Sequence, residues 1–389
     1  MRSALNTFPA TITFNKLFGK HGDGQYTSDV LTGTSLPEDM SINDKLRELL
    51  SHLQIPHQTA QAFQTKLTCE EFIHTFNHTR ESTASSPSGI HIGHYKMATT
   101  IPTVAKCITT MISLPFEYTF SPTRWKQSIH FMIEKLPGIP RVNKLRIIQL
   151  IEADLNAYLK VKIGKHLMNI GEHNNTLGDQ MHGGRAHRTT TDALVTQQLV
   201  NDISKQTFSP LTVMNLDATK CYDRIFPAFA TLTMARMGAP IKIGVTISKT
   251  IQSMAHKVMT GHGISTHYIQ QPEHETWSGV GQGSAAAGPA WLSIESFMIH
   301  YLQSKSKGAT FACPQNIDKS SINTIGYIDD NNLVINGADG NTQHEANTAL
   351  QAWNNSLQLS GGALSNKKCE YYSTNWEWSQ GVPKIKTDN

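Results

Sequence analysis

Three aspartates stand where carboxylates could act together on a metal ion. Asp217 ends an apolar run, residues 211–216, whose composition is that of a short buried strand. Asp329 and Asp330 are adjacent and lie between two further apolar runs, which predicts a β-hairpin with the acidic pair at its tip. Because the pair lies far from Asp217 along the chain, any shared chemistry depends on a fold that brings the three together.

Carboxylates gathered at one place repel each other unless cations neutralise them. Two Mg²⁺ ions about 3.5–4 Å apart are the usual solution at phosphoryl-transfer sites. One ion activates the attacking hydroxyl, and the other stabilises the leaving group and the triphosphate. The pattern is therefore compatible with metal-dependent phosphoryl transfer.

Each acidic feature also has an ordinary structural explanation. An aspartate after a strand is often a turn residue or a helix cap, and Asp-Asp-Asn at residues 329–331 suits a tight turn. A calcium loop is a third reading, but residues 329–332 lack its alternating spacing, its glycine and its distal glutamate. The carboxylates alone leave these readings open.

The elements that must position these residues are predicted as a mixture of helices and strands. Thr68 and Glu71 have capping-box spacing, and Pro227 and Gly238 stand at the start and stop of another helix. Strands and helices do not alternate strictly, which favours an α+β fold. We expect helices near residues 44–53, 69–80, 190–208, 227–238, 245–259, 284–302 and 346–357, and strands near residues 211–217, 322–328, 332–335 and 369–373.

Composition excludes several protein classes. The 389 residues are 39% hydrophobic and 16% charged, as in ordinary globular proteins with two or three subdomains. No apolar run reaches the length of a membrane-spanning helix, and the N-terminus lacks a secretory apolar region. The five cysteines are widely spaced without a CxxC pair, so neither a disulfide framework nor a structural zinc site is indicated. These features predict an intracellular protein in a reduced compartment.

Positive charge is concentrated in residues 124–165. This segment has nine basic and three acidic residues, a surplus larger than the +4 of the whole chain. Such clustering suits phosphate contact, although a solvated basic face would explain it equally well if the segment stood alone.

Several segments resemble motifs of reverse transcriptases, in the order in which that family has them. Tyr-Ile-Asp-Asp at residues 327–330 resembles the Tyr-x-Asp-Asp box, and residues 216–225 resemble the first carboxylate motif, especially in its non-LTR retrotransposon form. Six further segments are similar to other motifs of the family. The first three are Ser86–His91 with Tyr95-Lys96, which resembles the opening motif, Lys135, and residues 145–150, which resemble the Arg-Pro-Ile-x-Leu segment. The other three are residues 180–185 with 190–193, Gly281–Gly283 with Gly288-Pro289 (the Gln-Gly motif), and residues 364–369 (the Gly-Leu-x-x-Asn-x-x-Lys segment).

The resemblance covers roughly residues 80–375 and points to the non-LTR or group II intron-like type. It implies an α+β fold with the fingers and palm of a right-hand polymerase, an antiparallel palm sheet backed by helices, and a thumb that is short or absent. The implied divisions are a mostly helical N-terminal extension (1–80), fingers with the start of the palm (81–209), palm (210–375) and a C-terminal tail or truncated thumb (376–389).

The resemblance also implies roles for individual residues. Asp217, Asp329 and Asp330 would hold two Mg²⁺ ions, with Mn²⁺ as a possible substitute. Tyr222 matches the aromatic steric gate that excludes a ribose 2′-OH, and Lys368 matches the general acid near the pyrophosphate. Gln282 and Gly283 would line the dNTP pocket, Arg146 and Lys135 would contact the triphosphate, and Gly184 and Arg185 would contact template or primer.

The chain also departs from the family pattern. Arg146 is followed by isoleucine instead of proline, and the segment after Gln282-Gly283 is one residue longer than usual. About twenty residues follow Cys369, too few for a helical thumb.

The expected function is an RNA-directed DNA polymerase of a retroelement, with an RNA template, a DNA or RNA primer and dNTPs as partners and no membrane. A catalytically silent nucleic-acid-binding relative from a truncated element is the alternative. An RNA-templated RNA polymerase is disfavoured by Tyr222.

Overall fold

The computed structural model describes residues 10–34, 36–38, 42–56, 62–85, 87–139, 141–272, 278–312, 319–337 and 342–386. Two 3₁₀ turns, Thr123–Lys126 and Val142–Lys144, and a π-helical segment, Leu159–Leu167, accompany the α-helices. The α-helices are α1 (Ala10–Phe18), α2 (Thr27–Thr32), α3 (Asp44–Ser51), α4 (Cys69–Asn77), α5 (Ile92–Thr99), α6 (Pro102–Tyr118), α7 (Ala153–Tyr158), α8 (Met168–His173), α9 (Thr190–Gln206), α10 (Cys221–Arg224), α11 (Pro227–Met237), α12 (Ile241–Gln252), α13 (Ala287–Lys305) and α14 (Thr342–Leu359).

Within the described residues, the strands form two four-stranded sheets and two hairpins. The first sheet has the order β2-β1-β4-β5 and the second the order β10-β3-β9-β8, while β6 pairs with β7 and β11 with β12. The strands are β1 (Gln127–Glu134), β2 (Leu145–Leu150), β3 (Leu211–Asp217), β4 (Ala255–Thr260), β5 (Gly263–Ile264), β6 (Ala309–Ala312), β7 (Lys319–Ile322), β8 (Thr324–Tyr327), β9 (Asp330–Ile335), β10 (Glu370–Thr374), β11 (Trp376–Ser379) and β12 (Val382–Ile385).

Local sequence signals account for several helix ends. The capping box of α4 is confirmed: Thr68 accepts from the amide of Glu71, and the Glu71 carboxylate accepts from the amide of Thr68. A second capping box, between Thr189 and Asp192, begins α9. Helix α11 starts at Pro227 and is stopped at Gly238, as its sequence predicts.

The second sheet is antiparallel throughout and alternates its side chains between two layers. Met214, Leu216 and Leu333 belong to the main core, to which α13 and α14 contribute. Val213 and Val334 belong to a smaller core that includes residues of α9 and of the β6–β7 hairpin. Helices therefore pack on both faces of this sheet and fix its strands in place.

One predicted helix is wrong over part of its length. We expected a helix over residues 245–259, but α12 ends at Gln252 and the chain continues as β4. Strand β4 lies parallel to β1, with Gln127 opposite Ala255 and Phe131 opposite Met259. The helical period of the sequence was overridden by this tertiary pairing.

No helix in the described ranges combines the length and the hydropathy that a membrane span requires. The expected divisions at residues 80, 209 and 375 stay predictions. The first sheet nevertheless takes two of its strands, β4 and β5, from residues between β3 and β9.

Candidate active site

The paired ends of β3 and β9 bring the three aspartates together. Asp217 is the register partner of Asp330, and Asp329 occupies the β8–β9 turn beside them. The pKa of Asp330 is raised by its partial burial and then by the negative charges of Asp329 and Asp217. Asp329 and Asp217 are thus close enough to Asp330 to oppose the ionisation of its carboxyl group.

The donor set fits hard divalent cations. Mg²⁺ prefers oxygen ligands, and the three aspartates offer carboxylate oxygens on adjoining strands. Within the described part of the chain, no three His, Cys, Asp or Glu side chains are already arranged to hold a metal ion. One oxygen of this set is already engaged: Nζ of Lys368 lies 2.8 Å from Oδ2 of Asp217 and donates a hydrogen bond there.

The turn that carries Asp329 has a strained backbone. Ile328 has φ +61°, in the left-handed region that β-branched residues rarely adopt. Its carbonyl accepts hydrogen bonds from Nε1 of Trp291 at 2.7 Å and from Nδ2 of Asn331 at 3.3 Å. A Cβ on Gly183 would lie 2.5 Å from the Ile328 nitrogen, so the Gly183 position requires glycine. A strained backbone of this kind persists only where surrounding contacts hold it in place. Here Trp291, Asn331 and Gly183 provide those contacts.

Tyr222 lies beside this turn, near the start of α10. Its ring centroid is 6.4 Å from that of Trp291, in an edge-on arrangement. Burial raises the Tyr222 pKa, and the charges of Cys221, Asp329 and Glu295 raise it further. The phenol is therefore neutral and within electrostatic reach of the acidic turn.

The Gln-Gly loop links Tyr222 to the first sheet. The amide of Val280 donates to the carbonyl of Tyr222 at 3.0 Å, and the carbonyl of Gln282 accepts from the amide of Gln149 at 2.6 Å. Gly283 has φ +114°, and a Cβ there would lie 2.6 Å from the Gln149 carbonyl oxygen. Glycine is needed at this position for both its conformation and its close approach to β2.

Lys135 and Arg146 are exposed on the β1–β2 hairpin. Arg146 pairs with Ile133, two residues before Lys135, so strand alternation places both cations on one face. Lys135 also lowers the pKa of Asp223, a carboxyl whose pKa is raised overall by burial. The Lys135 cation is therefore within electrostatic reach of the residue that follows Tyr222.

Lys368 reaches the acidic cluster from the loop that precedes β10. The amide of Ser365 donates to the Asp217 carbonyl at 2.8 Å, which ties this loop to the end of β3. The hydrogen bond to Asp217 and the charge of that carboxylate raise the pKa of Lys368. The structure thus brings Lys368 to the carboxylates and keeps it protonated.

Gly184 and Arg185 lie in the loop that crosses behind the acidic turn. Gly184 is exposed, but Arg185 is buried and forms a two-pronged ion pair with Glu172, with N–O distances of 2.6 and 2.8 Å. Arg185 also donates to the carbonyls of Gly178 and Met181. Its donors are thus used within the protein, and this geometry favours a structural role over direct template contact.

Two of the nine clustered cations likewise form ion pairs within the protein. Arg124 pairs with Glu152 and Asp154, and the fully buried Lys162 donates to Glu71 at 2.8 Å. In the opening motif, Ser86 lies outside the described residues, while the amide and the hydroxyl of Ser88 donate to Glu152. This part of the chain supports the fold of the region.

Sequence reasoning missed three residues that shape the site. Trp291 and Asn331 hold the Ile328 carbonyl, and the amide of Gln149 anchors the Gln-Gly loop. Trp291 lies in a predicted helix and Gln149 in a predicted motif, but only three-dimensional contacts reveal what each one holds. Of these three residues, Asn331 could have been suspected from the sequence, because it directly follows the acidic pair.

Comparison with known proteins gives a family match. Comparison with curated proteins gives no significant match. The sequence model of the family described as "Reverse transcriptase (RNA-dependent DNA polymerase)" matches residues 133–382. The match spans well over half of the chain and includes all three aspartates, Tyr222, the Gln-Gly loop and Lys368. The chain therefore belongs to the reverse transcriptase family.

Proposed function

We propose that this chain is an RNA-directed DNA polymerase that adds dNTPs to a primer 3′-OH along an RNA template. The observation that carries the proposal is the convergence of Asp217, Asp329 and Asp330 at one end of an antiparallel sheet, with Tyr222 beside them. In this reading the second sheet is the palm and the β1–β2 hairpin belongs to the fingers.

The three aspartates would hold two Mg²⁺ ions, and Mn²⁺ could replace them. When bound, the ions would neutralise the carboxylates and stabilise charge on the attacking and leaving oxygens. In the transfer, the 3′-hydroxyl group loses its proton to solvent and its oxygen forms a bond to the α-phosphorus as the bond to pyrophosphate breaks in line. The protein's own contribution is to fix the positions of the reactants.

Individual side chains then have distinct tasks. Tyr222 would stack under the sugar and exclude a 2′-OH, while Gln282 and Gly283 would line the base and sugar pocket. Arg146 and Lys135 would neutralise the triphosphate from the shared face of their hairpin. Lys368, held in its protonated form, would give its proton to the departing pyrophosphate. Gly184 would lie along the template or primer path, with Arg185 shaping that loop from within.

We further propose that the chain derives from a non-LTR or group II intron-like retroelement and works inside the cell in a reducing compartment. The order of the sequence motifs supports the first point. The four free cysteines among the described residues are compatible with the second.

A catalytically silent nucleic-acid-binding relative is the second candidate. The contact between Lys368 and Asp217 favours it, because one carboxylate oxygen needed for a metal already accepts from a cation. The same contact has a place in the active enzyme if Lys368 moves to the pyrophosphate when metal and dNTP enter.

Primer extension on a primed homopolymer RNA separates these candidates. The assay would supply dNTPs or rNTPs, in Mg²⁺ and in Mn²⁺, to the wild-type chain and to Asp329→Asn. Polymerase function predicts extension with dNTPs that falls at least about 10³-fold in the variant while duplex binding is retained. A folded wild-type protein that binds the duplex but extends it with neither metal would support the silent relative.

A further inference from the structure

Helix α13 carries a second residue directed at the acidic turn. Glu295 lies four residues after Trp291, so the two side chains share one face of the helix. Trp291 donates to the Ile328 carbonyl from this face. Glu295 is fully buried and lies against Gly326 of β8, next to the turn.

The Glu295 carboxyl group has no hydrogen-bond partner in the described structure. Neither Oε1 nor Oε2 is paired there, and the buried Oδ1 of Asn331 is also unpaired. A Cβ on Gly326 would collide with both Oε1 of Glu295 and Oδ1 of Asn331, so these two oxygens occupy the same small space. Two unpaired acceptors buried beside the same residue are unfavourable unless one of them carries a proton.

The orientation of Asn331 shows which group must carry it. The Nδ2 of Asn331 donates to the Ile328 carbonyl, which leaves Oδ1 as the atom of this amide beside Gly326, where Oε1 of Glu295 also lies. An amide oxygen cannot donate, so the hydrogen must come from the carboxyl group. Burial and the charge of Asp329 favour this neutral form, since they raise the pKa of Glu295 to about 8.

We propose that Glu295 is a positioning residue whose protonated carboxyl group donates a hydrogen bond to Oδ1 of Asn331. This bond fixes the Asn331 amide, which holds the Ile328 carbonyl and with it the strained turn that presents Asp329. The expected effect on primer extension rests on the proposed polymerase function. The expected effect on the turn does not depend on that function.

Two variants test the proposal. Glu295→Gln keeps a neutral group that can donate, whereas Glu295→Leu removes the donor at similar volume. We expect backbone amide exchange in residues 324–335, measured by mass spectrometry, to be about tenfold faster in Glu295→Leu and within about twofold of wild type in Glu295→Gln. Extension should follow the same order, with kcat reduced about tenfold in Glu295→Leu and KM for dNTP unchanged.

Thermal unfolding separates positioning from general support of the fold. A positioning role predicts that Glu295→Leu lowers the melting temperature by only a few degrees, as expected for the loss of one buried hydrogen bond, while the faster exchange stays confined to residues 324–335. Should Glu295→Leu fail to fold, infrared spectroscopy gives a second measurement. Wild-type protein should show a protonated-carboxyl stretching band that Glu295→Gln lacks.

Three results would overturn the proposal: equal defects in Glu295→Gln and Glu295→Leu, normal exchange in Glu295→Leu, or absence of the infrared difference. Failure of the polymerase function would look different. The wild-type chain would then extend no primer, yet the exchange and infrared comparisons would still report on the turn.

Discussion

The Nζ of Lys368 lies 2.8 Å from Oδ2 of Asp217, so an exposed cation shares the carboxylate that the proposed metals need. The lysine side chain is more than half exposed, whereas the Asp217 carboxylate is about one quarter exposed at 27%. The lysine is therefore free to leave while the aspartate stays in place on its strand.

Replacing Lys368 by alanine should have two opposite effects. Loss of the proton donor should reduce the extension rate about 10²-fold. Release of the Asp217 oxygen should lower the Mg²⁺ concentration needed for half-maximal extension, because the ion no longer competes with the ammonium group. A Mg²⁺ titration of the extension rate measures both. The neighbouring Lys367→Ala is the matched control, and an equal loss there would contradict the assignment to Lys368.

Shortening Tyr222 to alanine should weaken the discrimination against rNTPs. The ring is the proposed barrier to the 2′-OH, so its removal should raise rNTP incorporation relative to dNTP by about 10–100-fold. Tyr222→Phe keeps the ring and should discriminate like the wild type. The ratio of kcat/KM for the two nucleotides measures the effect, and unchanged selectivity in Tyr222→Ala would exclude the steric role.

A methyl group at Gly283 should displace the Gln-Gly loop. The position has φ +114°, and a Cβ would lie 2.6 Å from the Gln149 carbonyl oxygen. Gly283→Ala should therefore cost about 1–3 kcal/mol of stability and raise KM for dNTP about tenfold.

Gly288→Ala provides the control for the same segment. A Cβ at Gly288 meets nothing within 4 Å, and the residue lies in the first turn of α13. Thermal unfolding and dNTP titration should show little change there. Similar behaviour of the two alanine variants would mean that the close approach to β2 is unimportant.

Acid should destabilise the first sheet through His256. Burial, and then the neighbouring His130, lower the pKa of His256 from 6.5 to about 4. Between these values the unfolded chain binds the proton and the folded chain does not, so the free energy of unfolding falls as pH drops from about 6.5 to 4. If the whole pKa shift is realised, the free energy of unfolding should fall by on the order of 3 kcal/mol across this pH range.

Urea unfolding across this pH range measures the contribution of His256 to the free energy of unfolding. His256→Asn keeps a polar partner for Ser128, whose Oγ lies 2.5 Å from the histidine Nδ1, and should flatten the pH dependence. His262→Asn, at an exposed histidine in the β4–β5 turn, should leave it unchanged. An equally steep profile in His256→Asn would assign the acid sensitivity to other groups.

Elements could be predicted from the sequence where contacts between near neighbours and the burial of apolar residues favour the same structure. Strand β3 has the predicted bounds, residues 211–217, because a short apolar run with one terminal aspartate fits a buried strand well. The capping box at Thr68 and the proline start at Pro227 likewise reflect contacts between near neighbours. The proximity of the aspartates followed from the family resemblance and not from any local pattern.

Contacts between distant residues account for what could not be predicted. Residues 255–259 were predicted to end a helix, but they pair with β1 as a strand. Nothing in the sequence around Arg185 indicates that Glu172 and two backbone carbonyls accept hydrogen bonds from its guanidinium group. The positive φ of Ile328 is imposed by Trp291, Asn331 and Gly183, none of which is its immediate neighbour.

The parallel pairing of β1 with β4 joins two segments that are far apart along the chain. Strand β1 has an open edge until residue 255 has been synthesised, by which time the whole of β3 has already been made. Open strand edges invite pairing with other chains, and pairings between distant segments form slowly. A chain cut between residues 209 and 210 would therefore leave an aggregation-prone edge on its first piece, whereas both pieces expressed together could complement each other. Fingers and palm, although named as separate parts, would reach their folded state as one unit.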